Sequence, residues 1–169
     1  PQAALPAAVQ AAYDAANQQI QFNSVGPNLT YDANGNLASQ TDAAGTTFFT
    51  WDARNRLVAM STPSLSASFV YDAVGRRISK TINGVRTEYQ YDGNDLISEF
   101  VGGVVAATYL RSQNIDEPFI RQSASSEFYH SDALGSTMAL TDQSGIVQTT
   151  YAYDPFGKTT SAGATSTNP

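Results

Sequence analysis

Four aspartates, Asp32, Asp52, Asp72 and Asp92, recur every 20 residues, each directly after an aromatic residue: Tyr31, Trp51, Tyr71 and Tyr91. Stacked units would bring their carboxylates to one edge of the molecule. Such a row could bind Ca²⁺ or take part in acid–base chemistry. The stretch "DANGN" places Asp32, Asn34 and Asn36 at alternate positions, as the opening of a calcium loop does. Gly35 is misplaced for that role, however, and Ala43 stands where the closing glutamate belongs, so no metal site is expected. Asp is also the residue that opens a turn, because its carboxylate accepts hydrogen bonds from backbone N–H groups two and three residues on. Each aspartate therefore reads as the cap of its own turn.

Other catalytic chemistries lack their parts. His130 is the one histidine and there is no cysteine, which removes thiolates, disulfides, Cys-ligated zinc and a second imidazole together. A Ser-His-Asp set can be written from Ser131 or Ser136 with His130 and Asp132, but neighbours along one strand or turn do not face one another. No G-x-S-x-G elbow is present either. His130 reads as a structural residue, hydrogen-bonded within the "YHSD" turn of Tyr129, His130, Ser131 and Asp132. "VGGVV" at Val101–Val105 has neither the helix nor the lysine of a phosphate loop. The expectation is a protein that is not an enzyme and takes no cofactor.

Charge narrows the partners. The net charge is −6 and the nine Lys and Arg form no basic patch, which argues against a nucleic acid partner. No run of about 18 apolar residues exists to span a membrane. The opening "PQAALPAAVQAAYD" lacks the basic start and long apolar stretch of a complete signal peptide. With 41% hydrophobic and only 14% charged residues, the 169-residue chain can bury a core, while Ser, Thr, Asn and Gln cover much of its surface.

The elements that would position the aspartates follow from the 20-residue period. Weaker copies of the aromatic–Asp pair lie at Tyr13-Asp14 and Tyr153-Asp154, and "YHSD" is a variant with two residues inserted. Between Tyr71-Asp72 and Tyr91-Asp92, Asn83-Gly84 supplies the two positive-φ residues of a type I′ turn. That register would gather Ile78, Ile82, Val85 and Tyr89 on one face, with Ser79, Thr81, Arg86, Glu88 and Gln90 on the other. Each unit is strand, Asp-capped turn, strand and looser turn, and the chain holds about seven such hairpins. The fold class is all-β, with stacked antiparallel hairpins forming a curved or spiral sheet. One or two helical turns are allowed near Ala7–Ala12, and the tail from Gly157, rich in Ser, Thr and Gly, reads as mobile or extended. The aromatics, including Tyr89, Tyr129, Tyr151 and Tyr153, pack between rungs or, alternatively, form a ladder that stacks on sugars. The organisation is an N-terminal segment 1–12, repeats over 13–111, a distinct segment 112–157 and a flexible tail 158–169.

"YDANGNLASQTDAAGTTFFTWDARNRLVAM" and "FVYDAVGRRISKTINGVRTEYQYDG" resemble the tyrosine-aspartate repeats of the Rhs, or YD-repeat, family. "IDEPFIR", "YHSDALGSTMALTDQSGIVQTTYAYDPFG" and "NP" at Asn168-Pro169 resemble the core segment that follows those repeats. Carried over to this chain, the motif residues of that core are Tyr129, His130, Asp132, Gly135, Tyr153, Asp154, Pro155 and Gly157. The resemblance, which extends to teneurins and the C components of insecticidal toxin complexes, implies a spiral β-sheet that closes into a shell. It also implies secretion or a cell-surface location. In bacterial members the shell commonly encloses a C-terminal toxic domain, released by an aspartyl-type self-cleavage at a "DPxG" motif. This sequence stops before that motif, and Asp154 of "YDPFG" is not expected to be the protease aspartate. The implied partners are the remainder of such a shell, other copies of the chain through sheet edges, a toxin cargo or a glycan. The implied role is structural, enclosing or displaying a cargo, with adhesion to glycans or cell-surface proteins, or self-assembly into a surface or fibre protein, as the alternative.

Overall fold

Short runs rich in β-branched and aromatic residues, interrupted by Asp, Asn and Gly, favour strands over helices. The computed structural model describes residues 10–23, 26, 28–114, 117–155 and 157–164, and every regular element among them is a strand. These are β1 (Ala11–Tyr13), β2 (Gln19–Phe22), β3 (Leu29–Tyr31), β4 (Leu37–Asp42), β5 (Gly45–Trp51), β6 (Leu57–Ser61), β7 (Ser66–Tyr71) and β8 (Arg77–Ile82). They continue as β9 (Val85–Asp92), β10 (Asp95–Val101), β11 (Val104–Arg111), β12 (Pro118–Gln122), β13 (Ser126–Ser131), β14 (Thr137–Thr141), β15 (Val147–Tyr153) and β16 (Thr159–Gly163). Two compact units contain them, one of residues 1–72 with 79–86, the other of residues 73–78 with 87–169.

In the first unit β1 pairs with β2, and β3 to β7 pair antiparallel in chain order. Asn28 ties β2 to this ladder: its N–H donates to the Ile20 carbonyl at 2.9 Å and its Nδ2 to the Thr41 carbonyl at 2.9 Å. In the second unit β9 to β16 pair antiparallel in chain order. Two kinds of hairpin loop recur. Two-residue loops close Asp42↔Gly45, Asp92↔Asp95 and Val101↔Val104. The Asp-capped turns are longer, and a bulge follows those at Asp14, Asp32, Asp52 and Asp132.

The apolar core is thin. Among the described residues, the buried apolar side chains are Leu29, Ala67, Tyr89, Ala107 and Leu140, accompanied by buried Ser79, Thr87, Glu99, Arg121, Thr141 and Thr149. Asn83 and Gly84 have φ of +47° and +85°, the pair of positive values that a type I′ turn requires. The face expected around that turn is different, however. Ile78 and Val85 are exposed, and Ser79 is buried on β8 while Thr87 and Tyr89 are buried on β9. The inward surface here accepts small hydroxyl-bearing residues, so apolar type alone does not mark it.

The N-terminus also differs from the helical reading. Ala7–Val9 lie outside the described residues, and Ala11–Ala12 belong to β1, because the Tyr13-Asp14 turn brings them opposite Gln21 and Phe22. Residues 159–163 of the tail are extended and pair with β15.

Candidate functional site

The aspartates close turns of one geometry. The N–H of Asp14, Asp32, Asp52, Asp132, Asp142 and Asp154 donates to the carbonyl four residues on, at 2.9 to 3.0 Å. In return Oδ1 accepts the N–H of that same residue: Gln18 at 2.9 Å, Asn36 at 2.9 Å, Arg56 at 3.0 Å, Ser136 at 2.9 Å, Ile146 at 3.1 Å and Lys158 at 2.8 Å. Asp14, Asp32, Asp52, Asp132 and Asp142 also accept from the N–H two residues on. The donors are thus the second and fourth residues, where the sequence suggested the second and third. The reason is the third residue, which takes positive φ in every case (Asn17 +61°, Gly35 +83°, Asn55 +57°, Gly135 +85°, Gly145 +77°, Gly157 +83°) and turns the next N–H back toward the carboxylate. Gly75, three residues after Asp72, has φ +99° as well.

Two kinds of side chain connect turns to one another. The aromatic before the aspartate donates to the backbone carbonyl five residues after an earlier aspartate, which for Tyr153 is Asp132, one turn before Asp142. Tyr31 bonds Gln19 at 2.7 Å, Trp51 Nε1 bonds Leu37 at 2.8 Å, and Tyr71 bonds Leu57, Tyr91 bonds Arg77 and Tyr153 bonds Thr137, each at 2.8 Å. The residue four after the aspartate reaches the following turn. Asn36 Nδ2 bonds Asn55 Oδ1 at 2.9 Å, and Arg56 Nη1 bonds the Asp72 carbonyl at 3.2 Å with its guanidinium 4.8 Å from the Tyr71 ring centre. Arg76 bonds the Gly93 carbonyl and lies 5.0 Å from the Tyr91 ring centre. These contacts place the aromatics between rungs, partly buried except Tyr153.

The carboxylates feel these donors. The Asn36 side-chain amide holds Asp32 below its ordinary 3.8, the Arg56 guanidinium does so for Asp52, and the Ile146 N–H does so for Asp142. Among the described residues no group of three or more His, Asp or Glu is arranged to hold a metal ion.

Three positions depart from the sequence pattern. Asp92 faces Asp95 across a two-residue loop, so "DGNDL" is not a copy of the longer turn; the aromatic's place is taken by Arg111, whose Nε bonds the Leu96 carbonyl at 2.7 Å. In "YHSD" the residue directly before Asp132 is Ser131, and His130 lies on β13, its Nε2 sharing a 2.9 Å hydrogen bond with Thr141 Oγ1 of β14. That bond crosses strands, where a bond inside the turn was expected. The Asp142 turn escaped the sequence reading because Thr141 precedes it; D-x-x-G in "TDQSG" was its signal.

The second unit also carries a buried polar cluster that no sequence motif marks. Tyr109 donates to Glu99 Oε1, and Arg121 Nε lies 3.2 Å from the Tyr109 hydroxyl and 3.9 Å from Glu99 Oε1. Arg121 Nη1 bonds Glu127 Oε2 at 3.2 Å. Burial, and then the neighbouring Glu99, push the Tyr109 hydroxyl far above its ordinary 10.0. On the same unit a depression of about 330 Å³ is lined by Arg77, Tyr89, Tyr91, Tyr109, Arg111 and Tyr129, among others.

Residues 31–66 match the model of the family described as RHS Repeat. Residues 31–66 carry the RHS repeat. The match spans the turns at Asp32 and Asp52 with their aromatics Tyr31 and Trp51. No curated protein matches the chain. Two crystal structures are similar to it. TcdB2-TccC3-TEV is 22% identical over 82% of this chain and 8% of that chain, with a TM-score of 0.36. TcdB2-TccC3 without its hypervariable C-terminal region is 21% identical over 75% and 6%, with a TM-score of 0.34. The chain therefore spans under a tenth of the length of either.

Proposed function

We propose that this chain is a non-enzymatic structural segment of an RHS-type β-shell, secreted or at the cell surface, that encloses or displays a C-terminal cargo such as a toxin. The rung-to-rung bond from each aromatic to the preceding rung's carbonyl supports the reading. It commits the most prominent repeated side chains to neighbouring rungs, and the carboxylates of Asp14, Asp32, Asp52, Asp132, Asp142 and Asp154 are occupied by backbone donors. Such a wall has work to do only if something lies behind or upon it. The test is to isolate the native polypeptide that contains residues 1–169 and follow protease digestion of whatever is joined to or held by it. Digestion of that material far slower than in the unfolded sample is the expected result. Digestion at the unfolded rate, or a native polypeptide that holds nothing, would overturn the reading.

A second reading, adhesion to glycans, has one observation in its favour: Tyr89, Tyr91, Tyr109 and Tyr129 line the depression of about 330 Å³. Tyrosine faces beside guanidinium groups suit sugar rings. Calorimetric titration with acidic and neutral oligosaccharides tests it, with Tyr129→Ala as the control. Binding that the substitution does not weaken, or no binding, removes this alternative.

A further inference from the structure

We propose that the depression of about 330 Å³ on the second unit takes an acidic sugar, with Arg77 and Arg111 on the carboxylate of a uronic acid and tyrosine faces against its ring. The inference rests on the glycan reading above and names the class of sugar.

The cations come first. Arg77 of β8 and Arg111 of β11 both line the depression, and the described residues that line it include no Asp or Glu. Each guanidinium lies on a tyrosine ring, Arg77 at 5.4 Å from the ring centre of Tyr89 and Arg111 at 5.5 Å from that of Tyr109. Arg111 is fixed further, since its Nε donates to the Leu96 carbonyl at 2.7 Å. That bond occupies one edge of the guanidinium and leaves the Nη1–Nη2 edge, whose spacing matches the two oxygens of a carboxylate. Asp95 Oδ1 lies 3.9 Å from Nη1, beyond hydrogen-bond range, so an incoming carboxylate displaces no bonded one there. The Arg111 side chain is 15% exposed, and water screens its charge less than that of an open surface arginine. Glu99, the acid nearest Tyr109, is already committed: it accepts from the Tyr109 hydroxyl and lies 3.9 Å from Arg121.

The frame that holds them lies inside the sheet, since β11 pairs with β10 on one side and with β12 on the other. Tyr91 stands opposite Leu96 in the β9–β10 register and donates to the Arg77 carbonyl at 2.8 Å, so one pair of strands sets the backbone beneath both arginines. Tyr91, Tyr109 and Tyr129 line the same depression and are only partly buried. The hydroxyls of Tyr91 and Tyr109 are engaged within the chain, which fixes these two rings in place. A small anion would need the arginines alone. Tyrosine faces beside them suit a charge carried on a ring, whose C–H side packs on an aromatic face while its carboxylate meets the guanidinium. A volume of about 330 Å³ stands at the low end of ligand pockets, which run from about 300 to 1,000 Å³, and so suits a short saccharide.

Calorimetric titration of the 169-residue chain at low ionic strength with digalacturonate, galactobiose and succinate tests the proposal. Digalacturonate is expected to bind at least about 10-fold more tightly than galactobiose, which has the same rings without the carboxylates. It should outbind succinate, which has carboxylates without rings, by a similar factor. Added salt is expected to weaken the acid and leave the neutral sugar unchanged. Arg77→Gln and Arg111→Gln should each reduce the preference for the acid, whereas Tyr129→Ala should weaken both sugars. Circular dichroism checks the fold of each variant, and Arg77→Gln carries the test where Arg111→Gln unfolds, because Arg111 also holds the Leu96 carbonyl. Equal binding of the two sugars, or a preference that folded arginine variants keep, overturns the acidic assignment and leaves the glycan reading standing. Succinate that binds as tightly as digalacturonate overturns it as well, since the site would then take a bare carboxylate. Failure of both sugars to bind removes the inference together with the glycan reading, while the structural role is judged by the protease experiment.

Discussion

The rungs at Asp32 and Asp52 and the strands from Asp95 to Ser131 are joined by different chemistry. In the first, each joint is one aromatic donor on a backbone carbonyl, one capped turn and one polar arm, all supplied by residues at fixed offsets from the aspartate. In the second, the two-residue loop at Asp92 shifts the register, an arginine takes the aromatic's place, and the interior fills with Glu99, Tyr109, Arg121 and Glu127. A regular spacing lets short-range contacts repeat. Once the spacing breaks, the inward side chains must satisfy one another, and buried charges need partners in their own layer.

The difference can be broken at its strongest point first. Arg121→Ala strands Glu99 and Glu127 beside an empty site, and is expected to cost about 3–5 kcal/mol in urea unfolding, because a buried charge loses its counter-charge. Tyr71→Phe and Trp51→Phe, each deleting one rung bond, are expected to cost only about 1 kcal/mol apiece in the same assay. A turn-held rung that lost as much as Arg121→Ala would erase the distinction. The two regions should also fail at opposite ends of the pH scale. Tyr109 ionises less readily folded than unfolded, so its contribution is intact below pH 10.0 and is lost as pH rises from there toward the raised value. Melting temperature should fall in alkali in the wild type, and less steeply in Tyr109→Phe. Asp32 and Asp52 ionise more readily folded than unfolded, so their contribution is intact above 3.8 and is lost as pH falls through the lowered values. A melting temperature that holds steady from pH 5 to pH 2 would contradict the carboxylate caps; the expected change is the smallest of the four, since these groups are open to solvent.

Much of the regular half was legible in the sequence. The aromatic–Asp period located the turns, Asn83-Gly84 fixed a loop, and the all-β class followed from both. The partner of each aromatic was not legible, because a backbone carbonyl leaves no mark on residue type. The face of β8 and β9 was misread for a related reason: Ser79 and Thr87 bury as well as Ile78 would where neighbouring strands leave little room. Arg121 and Glu99 carry no signal at all at the level of spacing, since they meet only through the pairing of β10, β11 and β12. Asn28 joins two strands through both its backbone and its side chain, and nothing around it distinguishes it from an ordinary loop asparagine.

The thin apolar core has a consequence for how the molecule comes apart. A globular domain melts all at once because one central cluster is shared by every element. Here the buried apolar set is small, and the aromatic and polar joints connect each turn only to the next. Each turn then behaves as a link in a linear array, whose free energy is a sum of intrinsic and nearest-neighbour terms. Amide hydrogen exchange should accordingly be graded from strand to strand within each unit, and heat should open the strands of a unit in succession where a shared core would release them together.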